Sequence, residues 1–324
     1  MTDAEVSVVV PTRDRPAFLA RAVSIALQQE RVEVELIVVD DGSRDDTRTL
    51  IASLEDARVR VVTHPSSVGV ARSRNDGIAA ATAPWVAFLD DDDVWAPVKL
   101  RTQLDRLAAT GTDFVYSSAV DVSEDGTIGR CDRAPAPDRL VPGLLEQNLI
   151  PAGSSNVLAS TRLVREVGGF DEGLSHAADW DLWIRLAFAA RAAACDGILV
   201  AYTLHAANML VTDAKRVGHE FSYVAAKHRG VAERHGVRVD RSAYYRWVAD
   251  GHRRAGRRAM AARSYLRAAI SKPNARDALR AGAAIGGLRG ERPAWAAGRR
   301  HQRGHAPPDW LRRYVGQEPT RGSA

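Results

Sequence analysis

The chain is poor in cysteine: Cys131 and Cys195 are the only two in 324 residues. Two so far apart build no disulfide framework and cannot form a cysteine-based zinc site. No run approaches the roughly 18 consecutive apolar residues that span a bilayer. Met1–Val10 lacks the basic-then-apolar layout of a secretory signal. Together these exclude a secreted mini-scaffold, a membrane-spanning carrier and a zinc finger. The expectation is a soluble protein of a reducing compartment, the cytoplasm. Lysine is scarce as well: four of the 45 basic residues, with arginine making up the rest.

What is present is acidic at the front and basic at the back. The net charge is +5, yet residues 1–210 carry 20 Lys+Arg against 31 Asp+Glu, and residues 211–324 carry 25 against 9. Such a split suggests two jobs in one chain. The length allows a large α/β domain with an appendage. The expected division is a domain over 1–210 and a helical basic region over 211–324, the last ~25 residues, rich in Gly, Pro and Arg, being poorly ordered.

The front half alternates strand and helix signals. Val6–Val10 is a β-branched run stopped by Pro11, and Pro16–Gln29 has helical spacing. Val34–Val39 is a second strand running into Asp40-Asp41-Gly42-Ser43. A helix over 45–54, a strand over 59–62, a helix over 70–81 and a strand over 85–89 follow, the last ending in Asp90-Asp91-Asp92-Asp93. This alternation predicts a mostly parallel sheet with helices on both faces. In such sheets ligands bind beyond the carboxyl ends of the strands, where both acidic clusters fall. Asp132–Pro142 reads as a surface loop, 161–167 as a short helix, 179–190 as a helix and 198–204 as a strand. Helices are expected over 221–235, 243–254 and 257–270, with Pro273 as a stop.

Four aspartates after an apolar strand carry the most information. Two carboxylates about 5 Å apart repel by roughly 3 kcal/mol at an effective dielectric near 20. The run therefore needs a cation or hydrogen-bond donors. All-oxygen ligands suit Mg²⁺ or Mn²⁺, and Asp90 and Asp92 at i and i+2 should project the same way. The same run also reads as a solvated acidic turn capping the next helix. Asp40–Ser43 alone is equally a turn and N-cap, and His205 equally a satisfied core or loop histidine. Asp179 and Asp181 head a helix, where acidic residues complement the dipole or serve a general base.

Six segments in order resemble the family 2 glycosyltransferases: VSVVVPTRDRPAFLARAV, ELIVVDDGSRDDT, VGVARSRNDGIAAATAPWVAFLDDDDVW, VREVGGFDEGL, DWDLWIRL and LHAAN. The resemblance covers roughly residues 5–210. It implies the GT-A nucleotide-diphospho-sugar transferase fold and inverting transfer from a nucleoside-diphosphate sugar, UDP-sugar being favoured. Pro11, Thr12 and Arg13 would line the base; Asp41, with Asp40 beside it, would accept a hydrogen bond from it. Arg74 and Asn75 match a pair preceding the metal site. Asp90 and Asp92 match the family's DxD motif, with Asp91 beside the nucleotide. The metal, Mn²⁺ or Mg²⁺, would lie on Asp92 and Asp90 with His205 near. Asp179 aligns with the catalytic base. Where the family usually has Glu-Asp, this chain has Ala178-Asp179, which leaves His176, Trp180 and Asp181 as candidate acceptor contacts. The acceptor would be a glycan, lipid-linked or small-molecule hydroxyl, in bacterial glycan, cell-wall, exopolysaccharide or glycosylated-metabolite synthesis.

Rival readings fit less well. An aspartyl-phosphate phosphatase carries its DxD on the first strand and needs a later lysine. A sugar-1-phosphate nucleotidyltransferase needs glycine in its first loop, and Pro11–Arg15 has none. A non-catalytic nucleotide-sugar or glycan-binding scaffold has only the missing Glu in its favour. The basic region reads as a solvated helical bundle, as an adhesive for anionic membrane at its inner face, or as a protein-docking surface, since 256–273 faintly resembles one tetratricopeptide unit. It shows no nucleic-acid-binding motif, and no nucleic-acid partner is expected.

Overall fold

The computed structural model describes residues 4–123, 126–205, 214–254, 256–286 and 308–314. They fall into two compact units. One comprises Met1–Leu144, Leu149–Leu204 and Pro307–Ala324; the other comprises Leu145–Asn148 and His205–Ala306. The division falls six residues before the expected position 210.

In the first unit β1 (Val6–Thr12) and β2 (Val34–Asp40) are buried along their whole length. Strands covered on both faces take continuous Val/Ile runs rather than an alternation. β1 pairs in parallel with β2 and with β4 (Trp85–Phe88), and β2 pairs with β3 (Val59–Thr63). Helices α1 (Pro16–Leu27), α2 (Thr47–Ala52) and α3 (Val70–Ala80) make the crossovers. Pro11 does not stop β1: the ladder continues with Pro11 opposite Val39 and Thr12 opposite Asp40. The pairing of β1 with β4 ends at Val9–Phe88, so beyond it one side of β1 demands no donor, a position where proline is tolerated.

The rest of the sheet mixes directions. β6 (Phe114–Ser123) runs parallel to β9 (Ala192–Leu204) and antiparallel to β7 (Ile128–Asp132) and β8 (Leu158–Ser160). β8 is also antiparallel to β4, and β5 (Val94–Trp95) to β9. The resulting order is β3-β2-β1-β4-β8-β6-β9-β5, with β7 on the side of β6. Helices α4 (Lys99–Thr110), α6 (Thr161–Glu166) and α7 (Ala178–Ala189) complete the unit, and α5 (Leu140–Glu146) has its last two residues in the second. The segment expected as a loop over 132–142 thus holds a 3-10 turn at Pro137–Arg139 and the start of α5. Within the stretch expected to be poorly ordered, Asp309–Arg313 forms a 3-10 turn. Its Leu311 is buried in the sheet's core, and Trp310 Nε1 donates to the Ile198 carbonyl at 3.2 Å.

The second unit is helical: α8 (Ala214–Lys227), α9 (Arg229–Arg234), α10 (Arg241–Arg254), α11 (Arg258–Ser271) and α12 (Ala275–Gly286). The single helix expected over 221–235 is two, parted at His228. Ala249, Ala261, Ala262, Tyr265 and Ala281 form a core of mostly small side chains. No helix among the described residues is long and apolar enough to cross a membrane.

Candidate active site

The four aspartates after β4 have four different environments. Asp93 is fully buried, accepting from Ser155 Oγ at 2.6 Å and from the Thr203 N–H at 3.0 Å. Burial first, then the charges of Asp92 and Asp90, push its carboxyl well above the usual range. Asp91 accepts from Thr12 Oγ1 at 2.8 Å and from Arg15 at 3.0 Å. Burial and the charge of Asp92 outweigh those partners and lift its pKa to about 6. Asp92 shares the Arg15 guanidinium at 3.0 Å, and its carbonyl accepts from Arg21 at 2.6 Å. Asp90 pairs with Arg74 and keeps 29% of its side chain exposed. The Arg74 guanidinium lies over the Phe170 ring at 5.2 Å. The repulsion within the run is thus met by three arginines and by the donors Ser155 and Thr203 on Asp93.

The tight turn Gly153–Asn156 joins this run to the head of α7. Ser155 Oγ accepts from the Asp90 N–H at 3.1 Å while donating to Asp93. Trp95 Nε1 donates to the Ser155 carbonyl at 2.7 Å, and the Asn156 amide bonds the Ser117 backbone in both directions. At the start of the turn, Ala152 and Gly153 have φ of 55° and 49°. A Cβ on Gly153 would come within 2.9 Å of Asp179 Oδ2. One backbone segment therefore touches both the acidic run and the Asp179 carboxylate. Asp179 is half-buried in the first turn of α7.

The other candidates separate into distinct roles. Both oxygens of Asp41 serve the loop before α3: Oδ2 accepts from Ser67 Oγ (2.6 Å) and the Gly69 N–H (3.1 Å), and Oδ1 from the Val68 N–H (2.7 Å) and His64 (3.3 Å). Burial raises its pKa, but these four bonds prevail and the net direction is down. Gly42 has φ 76°, and a Cβ there would meet the Ser66 backbone at 2.7 Å, so the loop closes directly over the Asp40–Ser43 turn. Asp40 is buried and accepts from the Ser43 N–H at 2.9 Å. Pro11 and Thr12 are buried at the end of β1, and Arg13 is exposed beside Asp14.

Asn75 clamps the turn after α6, donating to the Phe170 carbonyl (2.9 Å) and to Glu172 (3.0 Å) while accepting from the Phe170 N–H (2.8 Å). Asp181 is fully buried against Arg185, which donates to the Val167 and Gly169 carbonyls. Trp180 is buried, its Nε1 donating to the Leu144 carbonyl at 2.7 Å. His176 is half-buried. His205 is buried and belongs to the second unit. Sequence reasoning missed Arg15, Arg21 and the Ser155 turn. The one available signal was charge: four adjacent aspartates need cations, and Arg15 caps and Arg21 lies within α1, the helix that follows β1.

No cluster of three or more His, Cys, Asp or Glu among the described residues is arranged to hold a metal ion. A hard cation needs no such cage: Mg²⁺ is commonly held by one or two carboxylates, with phosphate oxygens completing the shell. Asp90, part-exposed, and Asp92 supply an all-oxygen pair that fits this pattern.

Residues 7–165 match the sequence profile of Glycosyl transferase family 2. The succinoglycan biosynthesis protein ExoO of Rhizobium meliloti is 30% identical over 237 residues, 68% of this chain and 66% of that protein. The UDP-Glc:alpha-D-GlcNAc-diphosphoundecaprenol beta-1,3-glucosyltransferase WfgD of Escherichia coli is 27% identical over 57% of this chain and 71% of its own length. The chain therefore spans about two thirds of these relatives. Among solved structures, Staphylococcus aureus TarS 1–349 in complex with UDP-GlcNAc superposes with a TM-score of 0.53 at 16% identity, covering 91% of this chain and 92% of that one. The mannosyltransferase PcManGT of Pyrobaculum calidifontis, in complex with GDP-Man and Mn²⁺, gives 0.54 at 18% identity over 92% and 79%. At these identities the likeness is one of fold, a GT-A-type sheet flanked by helices.

Proposed function

The chain belongs to glycosyl transferase family 2, and from that premise we propose that it moves a sugar from a nucleoside-diphosphate donor, a UDP-sugar by preference, to an acceptor hydroxyl with inversion. The observation that carries this reading is the Gly153–Asn156 turn, which bonds to the acidic run through Ser155 and meets the Asp179 carboxylate at Gly153. A candidate nucleotide-binding pole and a candidate base brought against one turn are what such a transfer needs. Relatives named for succinoglycan biosynthesis and for extending a diphosphoundecaprenol-linked sugar support a role in bacterial polysaccharide assembly.

In the proposed reaction, Asp179 accepts the proton of the acceptor hydroxyl as its oxygen bonds to the anomeric carbon. The bond from that carbon to the diphosphate oxygen breaks on the opposite face, and the electron pair leaves with the nucleoside diphosphate. Asp90 and Asp92 would hold a Mn²⁺ or Mg²⁺ ion, whose Lewis acidity would neutralise charge on the departing diphosphate. Arg15 and Arg74 hold these carboxylates in place. Thr12 and Asp91 lie together at the end of β1, on the side where a nucleotide would enter.

Calorimetric titration of UDP, dTDP and GDP with and without Mn²⁺ tests the donor site. One nucleotide should bind, need the metal and lose binding in Asp92→Ala. Asp179→Asn should keep that binding and lower turnover by about 10²–10⁴-fold, the usual contribution of a positioned base. Near-normal turnover in Asp179→Asn would remove it as the base. Absence of any nucleotide binding would leave a scaffold that keeps only the fold.

A further inference from the structure

The helical unit contains a groove of about 520 Å³, within the usual range for small-molecule sites. Its floor is aromatic. Phe221 of α8 and Tyr244 of α10 stack with ring centroids 4.5 Å apart, and Tyr245 lies 5.2 Å from Tyr244. Its rim is cationic. Arg241 of α10 and Arg263 and Arg267 of α11 line it, and Arg267 lies 6.0 Å over the Tyr245 ring. None of the three has an acidic partner among the described residues, and no lining residue is acidic. This contrasts with the same unit's Arg246 and Arg280, which are paired on buried Asp277.

A second, independent feature points to a missing partner. His252 of α10 lines the groove, is only 4% exposed, and its Nδ1 makes no hydrogen bond. A buried polar atom left unpaired is costly, so the wall of the groove carries an unmet hydrogen-bonding capacity. Burial, then the charge of Arg257, lowers its pKa, which keeps the ring neutral near pH 7 with one N–H to donate.

We propose that this groove is a second binding site, separate from the nucleotide site, for a sugar unit bearing a phosphate or carboxylate. The chemistry matches at each point. A pyranose offers a C–H face to the stacked rings. Arginine forks fit the planar or tetrahedral oxyanion. Ser222, Ser264 and the tyrosine hydroxyls line or border the space where sugar hydroxyls would fall, whereas an acyl chain would leave those groups unmatched. The site does not depend on the transferase reading.

The test uses the full chain and four probes: glucose 1-phosphate, glucuronate, glucose and inorganic phosphate, with phosphatidylglycerol vesicles as a fifth arm. Glucose 1-phosphate and glucuronate should bind saturably and shift the His252 ring ¹⁵N signals. Glucose and inorganic phosphate should each bind more weakly, since each lacks one half of the recognition. The double variant Arg263→Gln/Arg267→Gln should lose affinity by tenfold or more, the effect of removing one charge-assisted bond of about 1.5 kcal/mol or greater. Binding that survives this variant but falls in Asp92→Ala belongs to the other unit and overturns the proposal. So do an absence of saturable binding, inorganic phosphate binding as tightly as glucose 1-phosphate, and association with vesicles alone.

Discussion

The acidic pole at the ends of β1, β2 and β4 and the basic groove of the helical unit treat charge in opposite ways. At the pole nearly every carboxylate is spoken for: Asp90 by Arg74, Asp91 and Asp92 by Arg15, Asp93 by Ser155 and Thr203. In the groove Arg241, Arg263 and Arg267 line the cavity, and no acidic residue lines it among the described residues. A charge already paired is held in place at little reorganisation cost and serves to position what binds beside it. A charge left unpaired is solvated and keeps its interaction for a ligand. The pole is built for geometry and the groove for attraction, and the two respond differently to substitution.

The largest effect on stability is expected at the pole, through pH. Asp91 holds its proton to about 6 in the folded state against an ordinary 3.8. Between those values the native state binds more protons than the unfolded chain, so stability falls as pH rises through the window, by an amount of order 3 kcal/mol. Above about pH 6 this group adds no further slope. Asp91→Asn should flatten denaturant-midpoint stability between pH 4 and 6; an unchanged slope would mean that Arg15 and Thr12 keep Asp91 ionised throughout. The next effect tests whether pairing has the same meaning in the helical unit. Asp277 is fully buried between Arg246 and Arg280 at 3.0 and 2.6 Å. Breaking a buried pair costs about 3–5 kcal/mol, and because both guanidinia remain part-exposed, Asp277→Ala should cost about 2–3 kcal/mol. Thermal unfolding would report it.

Gly153→Ala is smaller in stability and more telling in function. It forces a left-handed backbone on alanine, about 1–2 kcal/mol, and sets a methyl 2.9 Å from Asp179 Oδ2. Turnover should drop while nucleotide affinity stays; equal losses in both would show that the turn serves only the fold. Smallest of all, Arg263→Gln/Arg267→Gln should change stability by less than about 0.5 kcal/mol, as exposed unpaired side chains do. A large loss of stability would mean that these arginines are structural and that the contrast with the pole fails.

The parallel part of the sheet was readable because it is local. Val6–Val10, Val34–Val39 and the helices between them each announce themselves by pattern, and a βαβ chain has few ways to connect. β5, β6, β7 and β8 were not identified, and neither was α4. Short strands such as Leu158–Ser160 carry too few residues to show a period, and their pairing depends on partners far away in sequence. α12 was missed although its sequence is amphipathic; Ala281 and Ala284 seat it against the small-residue core.

By itself the sequence determined which residue types gather at the strand ends, since a strand's carboxyl end follows directly from its direction and Asp40, Asp41 and Asp90–Asp93 must lie there. It also determined the split into an acidic and a basic half, which is simple composition. Only the tertiary structure decided what each aspartate does. Adjacent residues on a turn point in different directions, so Asp90 remains part-exposed on Arg74 while Asp93, three positions on, is sealed in the core beneath Ser155. It likewise decided that Arg15 rather than Arg13 meets the acidic run, and that the Gly153 turn lies against Asp179. Those contacts join residues 26 to 77 positions apart, and burial and charge compensation, which depend on what surrounds a side chain, are not encoded in its neighbours along the chain.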